Sequence, residues 1–133
     1  MMQVKRGMTA SFVKTVVDSD IVKFAFASGD INPVHLDDDY AKTTRFGKRI
    51  AHGMLSASFI STVLGTKMPG PGTIYLKQSL EFRRPVYIGD TVTATATVTR
   101  VNRKDNRVWL KTVCTNSEGK LVVTGRALVM LDR

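Results

Sequence analysis

Between Gly53 and Leu64 the chain carries no charged side chain. Met54, Leu55, Ala57, Phe59, Ile60, Val63 and Leu64 are apolar, and the polar positions are all serine or threonine. A helix of this composition has no charged face to turn toward water. It is predicted to run from Gly53 to about Leu64, to stop at Gly65, and to be buried on nearly every side. The rest of the chain must then supply the layer that covers it.

That layer is legible downstream. From Thr73 the apolar period changes to two, with Ile74, Leu76, Leu80 and Phe82 alternating with polar residues as far as Arg84-Pro85. Gly89-Asp90 reads as a turn, Thr91–Val101 as a Thr/Val/Ala strand, Val108–Thr115 as another strand and Leu121–Leu131 as the last. Asn102–Asn106 and Asn116–Lys120 are the turns between them. Upstream, Thr9–Val17 is a candidate strand. A short helix follows, capped by Asp18 or Ser19, with Ile21, Phe24, Ala25 and Ser28 on one face and Gly29 at its end. Asp37-Asp38-Asp39 opens a second helix to about Arg45, its carboxylates at the positive end of the dipole. We read this triplet as a helix start rather than a metal site. The expected class is α+β, an antiparallel sheet wrapped around one buried helix. Long edge strands need a partner, so a dimer that continues the sheet is expected.

Bulk properties narrow the function. The 133 residues suffice for one domain with a core, and 43% hydrophobic against 23% charged residues excludes a disordered chain. We read 1–133 as a single domain. The apolar runs are too short to span a bilayer and the first residues lack the apolar stretch of a secretory signal, so a cytoplasmic protein with no membrane partner is expected. The single cysteine, Cys114, lies in an alternating stretch and reads as a small core residue. The net charge of +9 favours an anionic partner. The basic residues are scattered, without zinc-finger spacing or interleaved aromatics, and no nucleic-acid partner is expected.

Two histidines occur in the chain. One closes Gly29-Asp30-Ile31-Asn32-Pro33-Val34-His35 and the other stands in Ala51-His52-Gly53-Met54. Pro33 fixes its own φ and restricts Asn32, so Asp30 to His35 is a defined turn. An aspartate and an imidazole facing one small volume suit proton transfer near neutral pH, with Asn32 as a supporting amide. A turn that only caps a helix explains the same spacing. The second motif adds weight, because Gly53 begins the buried helix, where backbone N–H groups are free and a ligand can approach closely. Two histidines without H-E-x-x-H spacing argue against zinc, and there is no G-x-S-x-G nucleophile motif. Ser61 reads as a core hydroxyl bonding back one turn.

G-D-x-N-P-x-H-x-D, A-H-G-M and Pro85-Val86-Tyr87-Ile88-Gly89-Asp90 together resemble the MaoC-like (R)-specific enoyl-CoA hydratases, over about Thr9 to Leu131. The resemblance implies a hot-dog fold, a long central helix wrapped by an antiparallel sheet and dimerised edge to edge. It implies reversible hydration of trans-2-enoyl thioesters, carried by coenzyme A or a carrier protein, to (R)-3-hydroxyacyl thioesters, with no metal or redox cofactor. Asp30 and His35 match the family's catalytic pair, Asn32 its motif amide, and Gly53 its oxyanion-hole N–H. Ser61 falls where a pocket hydroxyl lies, and Leu64 and Val129 where acyl-chain contacts are expected. A hot-dog thioesterase lacks a carboxylate midway along the central helix here. A non-catalytic thioester- or nucleic-acid-binding module is the other alternative.

Overall fold

Helix α4 (Gly53–Thr66) is the axis of the molecule. The structure, a computed structural model, describes residues 3–132. Leu55, Ser56, Ala57, Phe59, Ile60, Val63 and Leu64 of α4 are buried. Each large apolar side chain removed from water in this way contributes roughly 1.5–3 kcal/mol. Burial is not complete all round. Met54 is 54% exposed and Ser61 is exposed, so one strip of the helix stays uncovered.

Before α4 come β1 (Thr9–Thr15), α1 (Asp18–Ser28), α2 (Pro33–Leu36) and α3 (Asp38–Lys42). After it come β2 (Thr73–Phe82), β3 (Thr91–Asn102), β4 (Arg107–Thr115) and β5 (Leu121–Leu131). The strands form one five-stranded antiparallel sheet in the order β1-β3-β4-β5-β2. This is the α+β hot-dog arrangement expected from the sequence. In β3 the Thr/Val/Ala alternation splits cleanly between faces: Val92, Ala94, Ala96 and Val98 are buried. The intervening threonines point away from the core, where Thr91 and Thr95 bond Thr15 and Ser11 of β1 at 2.8 and 2.9 Å. The small alanines leave room for the helix to close on the sheet.

Several boundaries moved. Helix α1 is capped by Val17, not by Asp18 or Ser19. Asp20, three residues on, accepts the Val17 N–H at 2.9 Å. Asp37 caps α3 by accepting the Tyr40 N–H at 3.1 Å, as the helix-start reading of the Asp triplet required. That helix stops at Lys42 rather than Arg45, because the Thr43 and Thr44 hydroxyls bond back to the carbonyls of Tyr40 and Ala41. Helix α4 continues through Gly65 to Thr66. The alternation in β2 is interrupted by a bulge between Tyr75 and Lys77 that takes Leu76 out of register. Strand β2 is a sheet edge, and Ile74, Tyr75, Leu76 and Phe82 on it are 38–53% exposed.

Candidate active site

Gly29 ends α1 with φ +81°, a left-handed conformation that favours glycine, and turns the chain toward the body of the protein. The Asp30 carboxylate then accepts the Asn32 N–H at 3.3 Å, and Asn32 Oδ1 accepts the Val34 N–H at 3.2 Å. Asn32 is thereby the N-cap of α2, with Pro33 at the first helical position. What reads as a turn in sequence is a four-residue helix that carries His35. Arg49 anchors this helix from outside. Its Nε donates to the His35 carbonyl at 2.7 Å and its Nη2 to Asp18 of α1 at 2.6 Å.

The His35 ring is fixed by its Nδ1, which lies 2.8 Å from the carbonyl oxygen of Ile50. A carbonyl only accepts, so Nδ1 carries the proton and Nε2 keeps a lone pair. The ring is 8% exposed. Burial pushes its pKa below the ordinary histidine value, and the neighbouring His52 pushes the same way. The Ile50 carbonyl and the Asp30 carboxylate oppose that shift. The imidazole is therefore a neutral base at neutral pH.

His52 lies directly on it. The two rings stack with centroids 3.9 Å apart and planes 28° from parallel. Phe24 of α1 packs on His52 with centroids 4.9 Å apart. His52 Nε2 donates to the backbone carbonyl of Asp30 at 2.9 Å, while its Nδ1 is buried without a hydrogen-bond partner. Donor atoms of Asp30, His35 and His52 lie within 4.8 Å of one another, a metal-like spacing. Each imidazole has already committed one nitrogen to a carbonyl. With one nitrogen of each ring so committed and the two rings stacked, the cluster is suited to proton handling.

Asp30, His35, His52 and Gly53 line one cavity of about 440 Å³. Gly53 stands at the first position of α4, where backbone N–H groups have no partner within the helix. The wall opposite is Phe82, and Arg45, Arg83 and Arg84 add positive charge. A buried neutral base, a carboxylate and free N–H groups around one space can take a proton from a small molecule, return one, and stabilise negative charge between the two events.

The other expected site residues fall elsewhere. Asn32 is exposed, does not line the cavity, and spends its Oδ1 on the helix cap. Ser61 is exposed, so the core-hydroxyl reading is corrected. It lines a separate groove of about 520 Å³ with Met54, Tyr75 and Gln78. Leu64 and Val129 are core residues, 1% and 0% exposed, and neither lines the cavity. Sequence reasoning gave no role to His52 or Arg49. Both act through contacts that only the folded chain creates, although His52 was marked by being one of two histidines and the neighbour of Gly53.

A family model described as "MaoC like domain" matches residues 2–119. An "(R)-specific enoyl-CoA hydratase" of Rhodospirillum rubrum is 56% identical over 128 residues, spanning 96% of this chain and 88% of that protein. Among solved structures, an R-hydratase from Pseudomonas aeruginosa superimposes with a TM-score of 0.93 at 45% identity, covering 98% of this chain and 84% of that one. The (R)-hydratase from A. caviae, described as involved in PHA biosynthesis, gives 0.94 at 43% identity, covering 97% and 98%.

Proposed function

The chain belongs to the MaoC like domain family, and on that premise we propose that it is an (R)-specific enoyl-CoA hydratase. It adds water reversibly to trans-2-enoyl thioesters and gives (R)-3-hydroxyacyl thioesters. The observation that carries the reading is the neutral, carbonyl-oriented His35, which shares a cavity with the Asp30 carboxylate and Gly53.

The geometry supports this reaction in the following way. The substrate double bond is conjugated with the thioester carbonyl, so attack of water oxygen at C3 moves charge onto the carbonyl oxygen. The Gly53 N–H at the helix start meets that charge. Asp30 and His35 hold the water, remove one of its protons and return a proton to C2, so that H and OH are added and neither residue is consumed. Base and oxyanion donor each supply on the order of a hundredfold or more. Arg45, Arg83 and Arg84 supply positive charge for the phosphates of coenzyme A or for an acidic carrier protein.

Residues 1–133 act as one domain in this reading, and the working unit is a cytoplasmic homodimer. Support for the dimer is the apolar edge strand β2 beside the uncovered strip of α4. Within the described residues no helix is long and apolar enough to cross a membrane. The test is hydration of crotonyl-CoA with chiral analysis of the product. Wild type is expected to form the (R)-3-hydroxy product, and Asp30→Ala and His35→Ala to lose turnover while remaining folded. Wild-type rates in both variants, or release of free thiol instead of hydration, overturn it.

A further inference from the structure

We propose that His52 is a positioning residue for the Asp30/His35 pair. Its ring is the platform on which the His35 imidazole lies, and its Nε2–H ties the backbone of Asp30 to the start of α4. The inference rests on the hydratase reading above.

Three contacts converge on this one side chain, and its chain neighbour begins α4. His35 stacks on one side at 3.9 Å, and Phe24 packs at 4.9 Å. The Asp30 carbonyl takes the Nε2 proton at 2.9 Å. Gly53 follows it in the chain. A single ring thereby registers the base, the carboxylate-bearing loop and the proposed oxyanion donor against one another. His52 is 1% exposed, and its Nδ1 is left without a partner. A buried polar atom of this kind is unfavourable. Leucine would fill the space without that penalty, and phenylalanine would also supply the flat face. Neither donates a hydrogen bond. Only a flat ring bearing an N–H does both.

His52 acts on the chemistry through its neighbour. The charged or titratable groups around His35 are Asp30 on the preceding loop, His52 at the start of α4, and Arg49, which bonds the His35 carbonyl and Asp18 of α1. Arg45 and Arg84 line the same cavity. His52 is one of the groups that lower the proton affinity of His35.

The experiment compares wild type with His52→Phe, which keeps the stack and removes the donor, and His52→Gln, which keeps a donor and removes the ring. Crotonyl-CoA kinetics are measured across pH. The imidazole titration is followed by NMR, where each variant retains His35 as its sole histidine. In both variants kcat is expected to fall roughly tenfold to a hundredfold, the loss that a misplacement of about 1 Å produces. KM should change little, and the His35 midpoint and the acid limb of kcat should move to higher pH. Wild-type kcat in both variants overturns the proposal, as does a fall in kcat with the His35 midpoint unmoved, which marks a merely structural residue. If one variant does not fold, the other reads both quantities. Absence of hydration by wild type is a different result and removes the hydratase reading itself.

Discussion

A Cβ on Gly53 would lie 2.7 Å from Cδ1 of Phe82, so glycine at 53 is what lets the Phe82 ring cover the start of α4. The ring belongs to a residue that is 53% exposed, and it can yield. Gly53→Ala is therefore expected to fold, with the displaced ring intruding on the cavity that both residues line. Catalytic efficiency should drop about tenfold or more. Gly53→Ala combined with Phe82→Ala should recover part of that loss. Kinetics of the single and double variants decide it, and wild-type efficiency in the single variant sinks the idea.

His35 predicts how pH acts on both rate and stability. Its proton affinity is lowered in the folded protein, first by burial. On unfolding it returns to the ordinary value of ~6.5. Below that pH the unfolded chain binds more protons than the folded one, so stability falls as pH falls. Above it the contribution is complete. The base stays neutral in the same way, so the acid limb of the rate profile should lie below the ordinary histidine value. Thermal melts and kcat/KM across pH 4 to 8 check this. An acid limb above ~6.5 refutes it.

Gly125 of β5 is the most crowded of the described glycines. A Cβ there would lie 1.8 Å from the Ser79 carbonyl oxygen of β2. The obstacle is backbone and cannot rotate away. Gly125→Ala should force the two strands apart and cost about 1–3 kcal/mol or more in denaturant unfolding. A change within experimental error contradicts this.

The proposed dimer runs through β2. Leu76 stands at the bulge, 38% exposed on the edge strand. Leu76→Glu should place charge in the seam and shift sedimentation toward monomer, with activity falling in proportion to dimer lost. A wild-type chain that sediments as a monomer rejects the proposal directly.

Much of this was legible in the sequence. The charge-free stretch from Gly53 named the central helix, and period two marked all four later strands, with Leu121–Leu131 matching β5 at both ends. Asp30 and His35 were placed in one cavity as their motif suggested. The misses have physical causes. Helix α2 is one turn long, below what periodicity can register, and the Thr43 and Thr44 hydroxyls cut α3 short. The bulge at Leu76 hid which face of β2 turns inward. His52 was invisible as a partner because its stack on His35 joins residues from different elements.

The uncharged axis of the molecule also sets a hazard for the newly made chain. Ribosomes release α4 before any strand of its cover except β1. Until Leu131 has emerged, a greasy rod waits without shelter, because closure depends on contacts far apart in the chain. Stalling or truncation anywhere in the second half of translation would leave a species that sticks to its own kind or calls on chaperones.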